Sequence, residues 1–472
     1  MSSRERPQSP TLVERLGGLV GSERVADGTG IALQGLRDLP QVRPADVQQL
    51  AAVLALADSE RLGVCIAGGT SRLEWGLRPD SFDLLLDTQD LRLPLSVDPD
   101  NLTITIGAGV TVSEARANAR SHNRVLPLDA CRPDRATVGG VVATGDQGPR
   151  CAGYGRVRDL VLGLKATLAD GTSVSFGGRT VKNVAGYDMA KLFVGSFGSF
   201  GVITEVTFRL LPRPDTQGLI AVPLSSLAHG KTLAARILDS CLQPLVLEVL
   251  SPALAAYLCT AFPSLSTGVG SGPLFVAGFA GHPAVVARSL ADVSVWSNIS
   301  NGVILEDAEA ESVFDAVTDL TAVASVSIAR TPHAHRPGKQ ETARDGTSLT
   351  ARVSVPISEV WSLAQAAESL ATEAHLPLTY QIGAACGTLE LRLGPQDPRK
   401  QDLGLPAAWV KDLRTAAVSS GGRLVVTSGL GLPGVDLDVW GDPGPEIRLV
   451  RSIKEKFDPH RVLNPGMNAG GI

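Results

Sequence analysis

The sequence has few aromatic residues, no paired cysteines and no basic cluster, and each shortage narrows what the chain can be. Phe, Trp and Tyr make up only 4% of the 472 residues, so the core must be built from Val, Leu, Ala and Ile. None of the six cysteines belongs to a CxxC pair, whereas structural zinc and iron–sulfur clusters need clustered thiolates. We therefore exclude both kinds of site and expect reduced, mostly buried thiols.

Charge and hydropathy exclude two further classes of protein. The formal net charge is −5 and no Lys/Arg-rich run occurs, whereas nucleic-acid binding needs a concentrated basic surface. The longest apolar stretches, such as Leu242–Leu250, are too short to span a bilayer. The polar N-terminus, MSSRERPQSP, lacks the apolar segment of a signal peptide. We expect a cytoplasmic protein that reaches a membrane, if at all, through partners.

Length and turn residues indicate two domains. A chain of this size exceeds what one core usually serves, and 50 Gly with 30 Pro indicate many turns rather than a helical bundle. The composition changes after Pro214. From there, two rounds of strand, amphipathic helix and strand predict an α+β domain with one antiparallel sheet and helices on one face. Polar loops are expected at Thr331–Ser348 and Gly394–Gly404.

Local patterns predict the elements before Pro214 and at the chain end. Apolar spacing predicts helices near Thr11–Leu19 and after Asp46, and Thr111 with Glu114 has capping-box spacing. Leu102–Ile106 alternates as a half-buried strand does. Asp170-Gly171 predicts a hairpin. The other expected elements are strands at Val64–Ala67, Leu84–Asp87, Asp159–Leu168, Ser173–Phe176 and Val202–Leu211, and a last helix at Glu446–Phe457.

Glycine clusters raise the question of a phosphate site. Gly68-Gly69-Thr70-Ser71 follows a buried strand, and it is either an anion-binding loop of backbone N–H groups or a simple turn. Gly107-Ala108-Gly109 lacks the third glycine of a dinucleotide fingerprint, because position 112 is Val. The glycine-bearing run from Thr137 to Tyr154 is either a long surface loop or backbone wrapped round a large flat ligand. Its apolar stretch VGGVVA favours the ligand.

Several motifs occur in the order found in one known family. They are GGTS, GAGVTVSEA, PDRATVGG, YGRVRDLVLGLKATLADGT, KNVAGYDMAKLFVGSFGSFGVITEV and FDPHRVLNPGM. The sequence resembles the FAD-binding PCMH-type proteins of the vanillyl-alcohol oxidase superfamily. Within that superfamily it is most similar to the FAD-binding E subunit of bacterial glycolate oxidase. The resemblance covers residues 40–214 and 446–468, and across 215–440 it rests on segment order.

The resemblance implies the fold and its division. We expect an α+β protein with a PCMH-type FAD-binding domain of two α/β subdomains and a cap domain of antiparallel sheet and helices. The implied divisions are a lead-in at 1–39, the FAD-binding domain at 40–214, the cap or substrate domain at 215–440, and a C-terminal segment at 441–472 that returns to the FAD-binding domain.

The resemblance also implies which residues bind the cofactor, mostly through the backbone. The first loop would hold the pyrophosphate, the second glycine run would line the ribityl region, and two residues of a later strand would meet the adenine end. These residues are Ala67, Gly68, Gly69, Thr70, Ser71, Asp134, Thr137, Val138, Gly139, Gly140, Thr144, Gly145, Gly148, Tyr154, Val202, Ile203 and Asn464.

Departures from the family pattern refine the assignment. Relatives that bind flavin covalently carry a His where this chain has Thr70, so we expect non-covalent FAD. Catalytic relatives read GSEGTLG where this chain has GSFGSFG, with Phe197 at the acidic position. They also carry a histidine-rich metal motif that is missing here. His333 and His335 form the only close His pair and lie in a polar loop, so we expect no metal site.

The cap strands carry the candidate substrate residues. Oxidation of a 2-hydroxy acid needs a cation for the carboxylate, and Arg is suited to this as a bidentate fork. Arg330, Arg352 and Arg392 lie in or beside cap strands, with Tyr380 and Glu390 nearby in sequence. We assign the catalytic role to Arg352 and Arg392, against the alternative that each is a solvated surface charge. No residue stands out as the base.

Three functional hypotheses follow. The chain is an E-subunit-like FAD-dependent oxidoreductase acting on CH–OH groups, working with a catalytic flavin subunit and an iron–sulfur subunit on glycolate or another small 2-hydroxy acid. Alternatively, it is a stand-alone FAD dehydrogenase of a small hydroxy acid or polyol. Thirdly, it is a structural subunit that keeps the flavin fold without turnover. The electron acceptor is then a partner, a quinone or oxygen.

Thr70 leads to a direct test of the cofactor linkage. The purified protein should be yellow, and acid precipitation should leave its flavin in the supernatant, because a threonine at this position forms no bond to the flavin ring. The absorption spectra of supernatant and redissolved pellet measure the outcome. Flavin that remains with the pellet would contradict the non-covalent assignment.

Overall fold

The computed structural model describes residues 10–29, 31, 38–76, 82–179, 187–267, 272–299, 301–323, 348–394, 404–428 and 437–472. The two polar loops expected from the sequence lie almost entirely outside these ranges. Mixed helices and sheets confirm the expected α+β class. In the described ranges, no helix is both long and apolar enough to cross a membrane.

A small mixed sheet begins the fold. Its elements are α1 (Leu12–Val20), β1 (Val25–Asp27), β2 (Pro40–Val42), α2 (Val47–Glu60), β3 (Val64–Ala67) and β4 (Leu84–Asp87). Strands β2, β4 and β3 run parallel, and β1 joins β2 antiparallel. Both predicted helices are present: Thr11 begins α1 in a capping box, and the side chain of Asp46 caps α2.

A five-stranded antiparallel sheet follows. Its region contains β5 (Leu95–Asp98), β6 (Thr103–Gly107), α3 (Val112–Ser121), β7 (Arg124–Val125), α4 (Val138–Thr144), α5 (Cys151–Tyr154), α6 (Val157–Leu160), β8 (Val161–Thr167), β9 (Ser173–Gly177), α7 (Ala190–Phe193), β10 (Val202–Arg209) and β11 (Leu211–Pro212). The sheet order is β5-β6-β10-β8-β9, while β7 and β11 pair separately. The predicted hairpin joins β8 to β9, and the predicted capping box begins α3.

Two predictions in this region were wrong in detail. Strand β6 is buried at all five positions and not on one face only. Its threonines tolerate burial because they find partners, as in the contact of 3.1 Å between the hydroxyl oxygens of Thr105 and Thr207. The strand predicted from Asp159 begins at Val161, because residues 157–160 form the short helix α6.

The second half of the chain forms one eight-stranded antiparallel sheet, here called the cap sheet. Its order is β15-β12-β14-β13-β17-β18-β16-β19. The elements are β12 (Thr216–Pro223), α8 (Leu227–Leu238), β13 (Val246–Leu250), α9 (Pro252–Ala261), β14 (Leu274–Gly281), α10 (Pro283–Ser297), β15 (Val303–Glu306), α11 (Asp307–Val323), β16 (Leu349–Ser354), α12 (Val360–Glu373), β17 (Leu378–Gly383), β18 (Thr388–Leu393), α13 (Gly404–Ser419) and β19 (Arg423–Ser428).

Helices cover both faces of one half of the cap sheet, which corrects the expectation of one covered face. Ile220 and Phe275 pack in the core that contains residues of α8, α10, α12 and α13. Leu219 and Val276, their neighbours along the strands, pack on the opposite side with residues of α9 and α11. On β16, β17 and β18, the second face carries polar side chains instead, and these point toward the N-terminal sheets.

The chain end returns to the first sheet through α14 (Ile447–Phe457), as predicted. The buried Lys454 ammonium donates to the carbonyls of Ser199 and Leu463, both at 2.8 Å, and to the carboxylate of Asp458. The last segment then lies beside β3, where Val64 N donates to the carbonyl of Val462 at 2.8 Å. This return brings the NPGM motif to the end of β3.

Candidate active site

The loop after β3 lies at one wall of a deep cleft. Within the described chain, the backbone N–H groups of Gly68, Gly69, Thr70 and Ser71 donate to no carbonyl or side chain. Adjacent unpaired N–H groups that line a concavity form an anion site. The cleft holds about 720 Å³, its open mouth included, which is within the range of ligand pockets. The loop therefore fits a pyrophosphate group.

Close packing explains the two glycines of this loop. A Cβ on Gly69 would lie 1.5 Å from the carbonyl oxygen of Arg135, and a Cβ on Gly68 would lie 2.2 Å from the hydroxyl oxygen of Thr137. Thr70 has a φ of +55°, which is strained for a β-branched residue, and its hydroxyl accepts from the guanidinium of Arg135 at 2.9 Å. Strain of this kind concentrates at ligand sites.

The second glycine cluster is helical and not the extended loop expected from the sequence. Thr137 caps α4, so residues 138–144 form a short helix. The N–H groups are used internally: Gly139 N donates to the carbonyl of Ala108 at 2.8 Å, and Gly140 N donates to Thr137. The glycines instead allow close approach, since a Cβ on Gly139 would lie 2.7 Å from the Cβ of Ala108. Gly139 and Gly140 therefore line the cleft without a side chain that would narrow it.

The opposite wall combines the 195–201 turn with the chain end. Asn464 donates from Nδ2 to the carbonyl of Phe197 at 2.5 Å and accepts from Ile66 N at Oδ1 at 2.8 Å. Phe200 is buried in the core, whereas Phe197 is not a core residue. Phe197 lines the cleft and meets Trp440 edge-on, with ring centroids 5.1 Å apart.

Most of the residues predicted to bind the cofactor line this cleft. They are Ala67, Gly68, Gly69, Thr70, Ser71, Thr137, Gly139, Gly140, Thr144, Val202, Ile203 and Asn464. Sequence reasoning missed Arg72, Thr88 and Phe197, which also line it. The position of Arg72 directly after GGTS was a usable signal, whereas nothing in the sequence marked Thr88.

The other five predicted residues lie outside the cleft lining. Asp134 is exposed, and Val138 is fully buried in the core. Gly145 lies against Gly195, where a Cβ would be 3.4 Å from its Cα. A Cβ on Gly148 would lie 2.5 Å from the carboxylate of Asp129, and Tyr154 packs against the cap core.

The motif KNVAGYD also suggests that Lys182, Asn183, Tyr187 and Asp188 brace the loop before the 195–201 turn, and the structure describes only the last two of these residues. Lys182 and Asn183 lie outside the described residues. Tyr187 is 94% exposed, so its ring braces nothing in the described chain. Asp188 forms an exposed ion pair with Lys191 at 3.6 Å.

A second cavity joins the first at Ser71 and Arg72 and is bounded by the polar face of the cap sheet. The cross-strand register explains this face, because Arg392 of β18 pairs with Thr350 of β16 and with Thr379 of β17. The residues that line the cavity include Glu74, Trp75, Arg132, Leu254, Leu320, Thr350, Thr379, Gln381, Glu390, Arg392, Thr427 and Ser428.

Arg392 is the unusual group in this second cavity. Its side chain is nearly fully buried, and Nε and Nη1 have no hydrogen-bond partner among the described residues. Burial without an acidic neighbour lowers the pKa of Arg392 to about 9. A buried and unpaired cation is costly, so its presence in a cavity indicates that an anion completes it.

Arg352, the second predicted substrate residue, is already paired. Its Nη2 donates to the carboxylate of Asp146 at 3.0 Å, and its Nε donates to Glu390. Arg72 donates to the other oxygen of Asp146 at 2.7 Å. The two guanidinium groups lie over the Trp75 ring, at 4.7 Å for Arg72 and 4.5 Å for Arg352. Both nearby charges hold the pKa of Asp146 below its usual value despite burial.

The other residues that the sequence suggested for the substrate site or for a metal differ in where they lie. Glu390 lines the cavity, held by Arg352. Tyr380 also contributes to the cavity lining, and it packs with the core of the cap sheet. Arg330, His333 and His335 lie outside the described residues. Within the described ranges, no group of three His, Cys, Asp or Glu side chains could hold a metal ion.

This arrangement, an anion-binding glycine loop beside a cavity with a cation that has no partner among the described residues, fits a protein that binds a phosphate-bearing cofactor and a small anionic ligand. Residues 40–177 match the family model for the FAD binding domain. Residues 213–468, more than half of the chain, match the model for the C-terminal domain of FAD linked oxidases. The chain belongs to the FAD-linked oxidase family, and FAD is its cofactor.

Several proteins of similar sequence are named as glycolate oxidase subunits or D-lactate dehydrogenases. The chain is 24% identical to the glycolate oxidase subunit GlcD of Bacillus subtilis over 429 residues, 90% of this chain and 87% of that protein. It is 40% identical to the Escherichia coli glycolate oxidase subunit GlcE over 162 residues, 34% and 45% of the two chains. It is 33% identical to a D-lactate dehydrogenase of Archaeoglobus fulgidus over 218 residues, 46% and 48% of the two. The chain is an FAD-linked oxidoreductase of this group.

Solved structures confirm the expected fold. The structure of p-cresol methylhydroxylase with substrate bound aligns with a TM-score of 0.69 over 96% of this chain and 95% of that one, at 16% identity. Alkyldihydroxyacetonephosphate synthase aligns with a TM-score of 0.70 over 98% and 86%, at 17% identity. The PCMH-type fold is therefore confirmed.

The close contact at Gly69 predicts that FAD binding depends on this glycine. In the variant Gly69→Ala, the new Cβ collides with a backbone carbonyl and displaces the loop. A strain of about 1–3 kcal/mol corresponds to a roughly 10- to 100-fold rise in the FAD dissociation constant. Titration of the apoprotein with FAD, followed by flavin fluorescence, measures this constant.

Gly18→Ala serves as the matched control. Gly18 lies in α1, and no atom lies within 4 Å of a Cβ built on it. FAD affinity should be unchanged in this variant. Unchanged affinity in the Gly69 variant as well would show that the loop does not hold the cofactor.

Proposed function

We propose that the chain is a FAD-carrying subunit, similar to the E subunit of glycolate oxidase, that takes part in the oxidation of glycolate or another small 2-hydroxy acid. The observation that carries the proposal is the unpaired guanidinium of Arg392 in the cavity next to the cofactor cleft. A carboxylate is the planar anion that matches a guanidinium fork.

The cleft residues have separate tasks toward the cofactor. The unpaired N–H groups of 68–71 hold the pyrophosphate, and Val202 with Ile203 supports the adenine end through the start of β10. Gly139 and Gly140 leave room for the ribityl chain. Residues of the cleft would hold FAD, which would supply the hydride-accepting redox chemistry for the carbon that carries the substrate hydroxyl.

The second cavity suits a small polar acid. Thr350, Thr427 and Ser428 place hydroxyl groups on one side of Arg392, and the hydroxyl oxygens of Thr350 and Thr427 are 2.9 Å apart. Leu254 and Leu320 supply apolar surface on the other side. The guanidinium anchors the carboxylate, and the surrounding groups exclude bulk water and orient the hydroxyl-bearing carbon toward the cleft.

The subunit role is the finer part of the proposal. The match to GlcE, the resemblance to E subunits and Phe197 in place of an acidic residue support a flavin-carrying partner of a catalytic flavin subunit and an iron–sulfur subunit. A stand-alone dehydrogenase is the second candidate. It is favoured by the alignment with GlcD over 90% of this chain and by the presence of both cavities in one polypeptide.

Reduction of the bound flavin distinguishes the two candidates. The purified chain is mixed anaerobically with glycolate or D-lactate, first alone and then after co-expression with the two proposed partner subunits. The E-subunit role predicts that the flavin stays oxidised in the isolated chain and that turnover needs the partners. Bleaching of the isolated chain would support the stand-alone enzyme, and absence of bound flavin would contradict both.

The variant Arg392→Met is expected to impair substrate oxidation without lowering the stability of the fold. Loss of the charge-assisted hydrogen bonds should lower kcat/KM for the 2-hydroxy acid at least 100-fold, corresponding to about 3 kcal/mol. The free energy of unfolding should stay the same or rise, because the variant removes a buried, unpaired charge. Steady-state kinetics of the active form and urea unfolding measure the two quantities.

Arg352→Met is the contrasting variant. It leaves the buried carboxylate of Asp146 with one partner fewer and should lower the free energy of unfolding by about 3 kcal/mol. Destabilisation by Arg392→Met of the same size, with substrate kinetics intact, would show that Arg392 is structural and would overturn the substrate assignment.

A further inference from the structure

Two cysteines distant in sequence meet where the cap sheet contacts the N-terminal half of the chain. Cys151 begins the short helix α5, and Cys386 lies in the turn between β17 and β18. Their sulfur atoms are 2.6 Å apart, although 235 residues separate them in the chain. This separation is shorter than the van der Waals contact of two sulfur atoms, so the two side chains meet within reach of an S–S bond.

The backbone holds both residues in place. Cys386 N donates to the carbonyl of Gly383 at 3.1 Å within its turn, and Cys151 N donates to the carbonyl of Gly148 at 3.1 Å. Gly153, two residues after Cys151, packs so closely on the cap sheet that a Cβ would lie 3.0 Å from the Cα of Leu245. Because both segments are held in place with their sulfur atoms already in contact, the S–S bond can form or break without a large movement of either segment.

We propose that Cys151 and Cys386 form a reversible disulfide that links the cap sheet to the N-terminal half of the protein. Both side chains are partly exposed, so a small oxidant can reach them. The oxidant is hydrogen peroxide. One thiol is oxidised to a sulfenic acid as the O–O bond breaks and water leaves, and the second thiol displaces a second water to form the S–S bond. Two electrons pass from the two sulfurs to the peroxide.

The local environment keeps the pair reduced until an oxidant arrives. The hydrogen bond with Cys386, followed by burial and the nearby carboxylate of Asp129, raises the pKa of Cys151 far above that of a free thiol. Cys151 is then protonated at neutral pH, and a protonated thiol reacts slowly. A dithiol reductant reverses the link by thiol–disulfide exchange.

The link would act on the substrate cavity. The turn that carries Cys386 joins the two strands that present Gln381, Glu390 and Arg392. A covalent bond at this turn fixes these strands against the segment that follows Asp146 and limits any movement of the cap sheet away from the cofactor cleft. This inference does not depend on which hydroxy acid is oxidised.

Thiol counting on the full chain tests the proposal. The protein is treated with hydrogen peroxide, denatured and alkylated, and the alkylated cysteines are counted and mapped by mass spectrometry. We expect the six thiols to fall to four, with one cross-linked peptide pair joining residues 151 and 386, and to return to six after dithiothreitol. Six free thiols after oxidation, or sulfinic acid at these positions without the cross-link, would overturn the proposal.

Three variants sharpen the result. Cys151→Ser and Cys386→Ser should each start with five thiols and lose no pair on oxidation. Cys241→Ser, at an exposed position outside the pair, should still lose two. In addition, oxidation should raise the unfolding midpoint in urea for the unmodified chain and for Cys241→Ser only. Loss of two thiols on oxidation of Cys151→Ser or of Cys386→Ser would show that the disulfide forms between other cysteines and would overturn the proposal.

Discussion

The side chain of Asn464 holds together the walls on which the cofactor cleft depends. Its carbonyl oxygen accepts from Ile66 at the end of β3, and its amide nitrogen donates to Phe197 in the 195–201 turn. A side-chain amide can do both at once, because it carries an acceptor and two donors on one plane. The glycine loop and the opposite wall, far apart in sequence, thereby take a fixed separation.

The placement of Asn464 rests in turn on a buried ion pair. Asp458 accepts from the backbone N–H groups of Val462 and Leu463, each at 2.8 Å, and its carboxylate also binds the Lys454 ammonium. The same ammonium donates to Ser199 in the opposite wall. Burial alone would disfavour both charges, but all three donors of the ammonium and both oxygens of the carboxylate have partners, and this satisfaction allows a buried pair to be tolerated.

The sequence was sufficient for elements whose signals are local, and insufficient where burial depends on distant partners. The caps at Thr11 and Thr111 begin helices as predicted, because a cap needs only its own first turn. The loop at 68–71, which the sequence predicts to bind the cofactor, lines the cleft. Residues 138–144 were misread, because their glycines serve contacts with Ala108 that no local pattern reveals. Arg352 and Arg392 looked alike in sequence. In the structure, Asp146 and Glu390 pair with Arg352, whereas Nε and Nη1 of Arg392 have no partner among the described residues.

The bridge of Asp146 to Arg72 and Arg352, whose guanidinium groups both lie over the Trp75 ring, has a consequence for how this chain can diverge. Loss of the carboxylate alone would leave two cations facing one another in a buried space, and loss of either arginine would leave the other charges unbalanced. A lineage can therefore change these positions only together, in steps that keep the net charge of the group. Because the group spans both halves of the chain, exchange of one half for that of a distant homologue would fail at this point unless the partner residues came with it.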